Sequence, residues 1–361
     1  MDVDTLRQVL AAASQVMHVQ EYRLLEHPPG AVQLRGKLLE TAEEAHRLLS
    51  DMLVPVGYVP TLHRDGAEVV LSVLPARQVS RPSRPWLAAA LLGATVLSVL
   101  FVGSTMVHQD LAQAARDPLS GLPFALSLLG ILGAHEMSHY FVARRYRVAV
   151  SLPYFIPLPV GLFGTLGAVI SMQSPPANRR QLLRIGMAGP LGGLVVALGV
   201  VLYGLATSPV TVIKPGTSYI REGNSILYLL LKYAVFGRIL PDGPVDVELS
   251  PVAFAGWAGL FVTGLNLIPA GQLDGGHIAF ALLGRRARAL TLAISLSLLV
   301  LGAVLWQGWL LWGVLLLLLA SRPQVVLDSV TELRPAEKAM AVGMLVLFVL
   351  LFTPVPIEAF L

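Results

Sequence analysis

Residues 122–143 read LPFALSLLGILGAHEMSHYFVA. As a helix this stretch is long and apolar enough to cross a hydrocarbon core, which takes about 20 residues. Near its end it is interrupted by His135, Glu136, Ser138 and His139, and Arg144, Arg145 and Arg147 follow. Ionisable groups in lipid cost on the order of a few kcal/mol each, so function is their default reading there. The stretch therefore sets both the class of protein and the place to look for its chemistry.

The remainder of the chain agrees with a membrane protein. Of 361 residues, 55% are hydrophobic and 13% charged, about half the charge of an ordinary globular domain. Further apolar runs of spanning character lie at 86–107, 185–206, 251–270 and 339–354. The run 289–320 is too long for one span, and Trp306-Gln307-Gly308-Trp309 is the expected turn of a tight hairpin within it. The expected fold is a polytopic α-helical membrane protein of about seven transmembrane helices. The segment 225–237 is apolar but contains Lys232, so it is read as interfacial or re-entrant. With that count, Arg77, Arg81 and Arg84, the arginines between residues 144 and 184, and Arg285, Arg286 and Arg288 all fall on one side. The positive-inside rule makes that side the cytoplasm. The expected setting is a bacterial inner membrane.

Residues 1–80 differ in character. They hold nearly half of the acidic residues and no spanning run. Asp4 is the expected cap of a first helix, and Thr41 with Glu44 form a capping-box pattern before a second. Pro28-Pro29-Gly30 and Asp65-Gly66 each separate strand-like runs. The pattern predicts a small soluble α+β domain of order α-β-β-α-β-β on the cytoplasmic side. His18, His27, His46 and His63 have no metal-ligand spacing. Partner binding, homo-oligomer formation, adaptor contact and a purely structural role all stay open for this domain. A basic, Pro-containing linker and the first span (81–120) lead to a membrane core (121–285) and C-terminal helices (286–361). There is no basic tract with interleaved aromatics, which argues against nucleic-acid binding.

The chain contains no cysteine, so any metal must be held by His, Asp or Glu. His135 and His139 are four apart, which stacks both imidazoles on one helix face within reach of one ion. Glu136 stands to the side, where it can take a proton from water. This H-E-x-x-H spacing is the arrangement of zinc metalloproteases. A catalytic zinc takes three protein ligands and leaves a fourth place open. The third comes from elsewhere, and Asp274 in Asn266-Leu-Ile-Pro-Ala-Gly-Gln-Leu-Asp-Gly-Gly276 is the candidate, at the end of another span. His277 is a rival for that role. Asn266 can donate to a substrate carbonyl or oxyanion, or join two helices as a buried amide.

The two segments together resemble the site-2 protease family of intramembrane zinc metalloproteases. Its signatures, HExxH and N-x-x-P-x-x-x-L-D-G, stand intact in His135, Glu136, His139, Asn266, Pro269, Leu273, Asp274 and Gly275. The resemblance covers roughly Gly121 to the C-terminus. It implies that His135, His139 and Asp274 are ligands of one Zn2+, that Glu136 is the catalytic carboxylate and that Asn266 contacts substrate. It also implies a transmembrane protein as substrate and a re-entrant β-hairpin over 155–174. Phe163-Gly-Thr-Leu-Gly-Ala-Val-Ile170, the Phe352-Thr-Pro-Val-Pro356 terminus and the lack of a PDZ domain look most like the plastid and cyanobacterial-type branch, whose plant members include the EGY proteases. Gly193 stands where many members have Asn, and Ser-Arg-Pro at 321–323 where some have His-Pro.

Two other classes compete. A metal or proton transporter needs an acidic path, yet the runs 86–107, 185–206 and 339–354 contain no Asp or Glu. An inactive scaffold would not need the complete set of ligands and Glu136.

Overall fold

The computed structural model describes residues 2–76, 84–108, 110–214, 219–319 and 324–360. Arg77 and Arg81 of the expected linker, and Ser-Arg-Pro at 321–323, lie outside the described residues.

The N-terminal unit runs α1 (Val3–Val16), β1 (Met17–Leu25), β2 (Ala31–Leu38), α2 (Ala42–Leu53), β3 (Tyr58–Asp65) and β4 (Glu68–Pro75). Its strands form one antiparallel sheet in the order β1-β2-β4-β3. The cap of α1 is Asp2, which accepts from the Thr5 amide at 2.7 Å, and not the expected Asp4, which sits in the first turn. Thr41 caps α2 by accepting from the Glu44 amide. The Glu44 carboxylate does not complete the box and pairs with Arg47. Val9, Ala13 and Val16 recur at helical spacing and pack with Leu34, Leu49 and Leu71, all without solvent exposure.

Strand β3 is a sheet edge, and an uncovered edge leaves unpaired backbone groups. Residues 327–329 cover it. The Leu62 amide donates to the Leu327 carbonyl at 2.7 Å, and the Ser329 amide donates to the Leu62 carbonyl at 2.9 Å. On its other side the same segment donates from Leu327 and Asp328 to the carbonyls of Pro176 and Ala177 at 3.1 and 2.6 Å. The N-terminal sheet is thereby stitched to the chain that enters the central helix.

That chain continues through α3 (Pro85–His108), α4 (Leu111–Arg116), α5 (Leu122–Arg145), β5 (Tyr154–Pro157), β6 (Thr165–Val169), α6 (Arg179–Ala206), β7 (Val210–Val212), β8 (Tyr219–Glu222), α7 (Ile226–Phe236), β9 (Val245–Val247), α8 (Pro251–Asn266), α9 (Asp274–Leu283), α10 (Ala287–Val304), α11 (Gly308–Leu319), α12 (Pro335–Leu351) and β10 (Ile357–Phe360). Pro85–His108, Pro118–Arg145, Arg179–Ala206 and Asp274–Val304 are long and apolar enough to cross a membrane. The last of these is broken by a tight turn over Gly284–Arg286, so it is two helices rather than one. Leu97, Val195 and Val304 are each at least 70% exposed on these helices, a surface suited to lipid and not to water. The chain is a polytopic α-helical membrane protein.

Helix α6 is central and packs against α5, α8 and α9. Small residues let it approach α8: a Cβ on Gly256 would lie 2.6 Å from the Val201 Cα. Strands β5 and β6 form an antiparallel hairpin that rests on α3, where the Ser98 hydroxyl donates to the Gly164 carbonyl at 2.6 Å. At the far end of α6, β7 pairs with β9 and β8 with β10. There α7 has 11 residues, a rise of about 16 Å. That is about half of a hydrocarbon core. Its Lys232 is fully buried, with Glu222 at 3.3 Å and Asp246 at 3.8 Å.

Candidate metal centre

Helix geometry sets the first two donors. His135 and His139 project from one face of α5 with ring centroids 4.9 Å apart. The third arrives from a break in the chain. Helix α8 ends at Asn266, three residues before Pro269, whose ring and missing N–H resist continuation. The chain turns through 267–273 and restarts as α9 at Asp274. The start is tight because Gly275 has no side chain: a Cβ there would lie 2.0 Å from the Leu267 carbonyl oxygen. A carboxylate in a helix's first turn also meets the positive end of its dipole.

The result is a triangle. His135 Nε2, His139 Nε2 and Asp274 Oδ2 are each 3.2 Å from the other two. Three ligands around one zinc-sized ion in tetrahedral geometry would stand about 3.4 Å apart. The chemistry of the donors agrees with the spacing. His139 Nδ1 faces the Ile185 carbonyl at 2.8 Å, so Nδ1 carries the proton and donates it there. In the neutral imidazole, Nε2 then presents a lone pair toward the carboxylate oxygen, the arrangement in which the three donors could share one cation. Among the described residues, these three make the group that could hold a metal ion.

Helix α6 closes one side of the triangle at Gly189. A Cβ at that position would lie 2.0 Å from His139 Nε2 and 2.7 Å from His135 Nε2. Gly193, one turn on, faces the His135 ring at 3.1–3.5 Å from the same hypothetical atom. Glycine at 193 leaves the ring a small neighbour.

The donors line a cavity of about 200 Å³ with Glu136, Asn266, His277 and the hairpin residues Ala168 and Ile170. Glu136 is 7% exposed, and its carboxylate makes no hydrogen bond among the described residues. It is free to meet water. Asn266 is half-buried at the C-terminal end of α8, and its amide likewise has no partner among the described residues. His277 is in the cavity wall but outside the three-donor group. All five candidate residues therefore come together in one cavity. Sequence reasoning missed the Ile185 carbonyl and Gly189. A carbonyl leaves no sequence signal, but the Gly186/Gly189/Gly193 spacing in α6 does mark a face able to accept large neighbours.

Comparison with known proteins follows the same residues. The family model described as "Peptidase family M50" matches residues 123–305, just over half of the chain, and the match spans His135, His139 and Asp274. The chain is 33% identical over 280 residues to the probable zinc metalloprotease EGY2, chloroplastic, of Arabidopsis thaliana, covering 75% of this chain and 49% of that protein. It is 30% identical over 291 residues to the EGY2 protein of Oryza sativa subsp. indica, covering 77% and 52%. It is 29% identical over 356 residues to the probable zinc metalloprotease EGY1, chloroplastic, of Arabidopsis thaliana, covering 90% and 63%. The chain spans about half the length of the first of these relatives. With the motif, the donor triangle and the family match in agreement, the chain belongs to peptidase family M50, on the side of its EGY-like branch.

Proposed function

We propose that this chain is an intramembrane zinc metalloendopeptidase that hydrolyses peptide bonds of transmembrane proteins. The observation that carries the reading is the 3.2 Å triangle of His135, His139 and Asp274 beside an unpaired Glu136. These three side chains would hold one Zn2+. Zinc supplies Lewis-acid chemistry: it acidifies water and polarises a carbonyl. Glu136 accepts the proton of the attacking water and delivers it to the leaving amine nitrogen. Asn266 donates its amide N–H to the substrate carbonyl oxygen as charge develops on it.

A transmembrane helix hides its peptide bonds in its own hydrogen bonds, so the scissile segment must unwind. Among the described residues strand β6 pairs only with β5, and its Ala168, with Ile170 just beyond it, reaches the cavity wall. An unwound substrate adding to this edge would regain backbone hydrogen bonds next to Glu136.

The orientation follows from the arginines flanking the helices, with the N-terminal unit in the cytoplasm of a bacterial inner membrane. In this reading residues 1–80 are a soluble domain open to homo-oligomer or adaptor contact. Residues 81–120 hold the linker and first span, 121–285 the catalytic core with its re-entrant hairpin, and 286–361 the remaining helices of a seven-span topology. The test is zinc content and cleavage of a membrane-anchored peptide by the purified chain beside Glu136→Gln. Zinc in both and cleavage by the wild type alone is the expected result. Cleavage by the variant at the wild-type rate sinks the mechanism.

A further inference from the structure

The fold contains a second cavity, of about 790 Å³, between the N-terminal sheet, the start of α6 and the turn from α9 to α10. His63, Arg64, Arg179, Arg285 and Arg288 line it, and among the described residues no carboxylate does. Two arginines in the same first turns of α6 are matched: Arg180 reaches Glu43 and Glu337, and Arg184 meets Glu337 at 2.7 Å. By contrast, His63, Arg64, Arg285 and Arg288 make no ion pair or side-chain hydrogen bond among the described residues. Arg179 donates one N–H to the Ser329 carbonyl at 3.3 Å, but its Nε is buried without a partner. A buried N–H of a cation left unpaired is costly, and this one points to a missing acceptor.

Arg64, Arg285 and Arg288 are exposed at the mouth of this cavity, and an anion seated among them would relieve the repulsion between their charges. Guanidinium groups match phosphate oxygens in geometry as well as charge. Phe280 and Leu283 add an apolar wall to the same cavity. We propose that this cavity is an anion site that takes a phosphate group, carried by a lipid headgroup or by a soluble phosphate compound.

Its position ties it to the metal centre. Gly271 and Gly276, in the turn and helix start that carry Asp274, form part of its wall. Gln324 lines this cavity and a smaller one of about 240 Å³, which shares Gln272 and His277 with the metal-site cavity. A bound phosphate would thus brace the opposite side of the Asp274 turn. The site itself does not depend on the protease reading, since binding is measured without turnover.

The experiment is native mass spectrometry of the full chain in detergent, with phosphatidylglycerol or uncharged dioleoylglycerol added, and a thermal shift with inorganic phosphate. The wild type should retain phosphatidylglycerol over dioleoylglycerol, or be stabilised by inorganic phosphate; the first outcome names a lipid source and the second a soluble one. Arg285→Gln/Arg288→Gln should weaken retention of whichever probe binds by at least about tenfold, the loss of charge-assisted hydrogen bonds. Arg64→Gln, on the exposed face of the N-terminal unit, tests the same site if that double variant fails to fold, and should weaken binding in the same direction. Arg144→Gln/Arg145→Gln, at the end of α5 away from the cavity, should leave binding unchanged. Binding of neither probe, or equal loss in the cavity and α5 variants, overturns the proposal.

Discussion

Gly189→Ala adds a single methyl group against the metal donors. The new carbon would stand 2.0 Å from His139 Nε2, 2.3 Å from its Cδ2 and 2.7 Å from His135 Nε2. Ordinary contact begins at about 3.5 Å, so either α6 withdraws by about 1.5 Å or the ring turns away. The imidazole cannot turn without giving up its Nδ1–H bond to the Ile185 carbonyl, now 2.8 Å, which α6 itself presents. Withdrawal of α6 stretches that same bond beyond hydrogen-bonding range. Both routes disturb one of the three candidate ligands. The expected loss in zinc affinity is about 10- to 100-fold, with about 1–3 kcal/mol of destabilisation from overpacking. Gly199→Ala is the internal control: it lies on the same helix with no atom within 4 Å of the added carbon. It should be neutral or stabilising by up to about 1 kcal/mol from helix propensity. The assay is zinc per chain after dialysis against a graded chelator, beside the thermal midpoint in detergent. If Gly189→Ala keeps zinc as well as Gly199→Ala does, the triangle is not the metal site and the reasoning fails.

Further outcomes follow from other parts of the molecule. Asn266→Ala should lower kcat by about 100- to 1000-fold while leaving zinc content intact, as for loss of one oxyanion donor. A fall in zinc content instead would show a structural role. Lys232→Met leaves Glu222 and Asp246 buried without their cation. Breaking a buried pair from one side costs about 3–5 kcal/mol, to be read from chemical or thermal unfolding, and an unchanged midpoint refutes it. In the N-terminal unit, burial holds the His46 imidazole below its ordinary pKa, against the opposing pull of Asp328 and its bond to the Pro60 carbonyl. The unfolded chain takes up that proton below about pH 6.5, and the folded one resists it. Stability is therefore fully present above that pH and falls as the solution is acidified. Wild type and His46→Gln should diverge between pH 7.5 and 5.5, and parallel curves would refute the linkage.

Much of the site was legible because its spacing is local. His135 and His139 read as one-sided from their i,i+4 separation alone. Asp274 was legible for a different reason: a carboxylate beside Pro269 and two glycines has few inexpensive roles in an apolar run. For 155–174 the Gly and Pro punctuation argued only against a helix, and it was the family resemblance that implied a hairpin there. The short pairings β7–β9 and β8–β10 were not legible, because strands of 3–4 residues hold too little pattern to separate from loop. Lys232 read as an interruption that kept its segment from spanning. Its buried partners, Glu222 and Asp246, lie 10 and 14 residues away in separate strands, and nothing local links them to it.

The order of residues by itself determined that this is a helical membrane chain, that two imidazoles share a helix face and that a carboxylate waits in a second motif. Those statements depend on hydropathy and helix periodicity, which act over a few turns of one chain. Only the tertiary structure decided that Asp274 closes a 3.2 Å triangle, that Gly189 admits α6 against it and that unmatched arginines from three elements face one cavity. Such contacts arise from how helices cross and where a broken helix restarts. Their energy resides between segments far apart in the chain, where no local pattern records it.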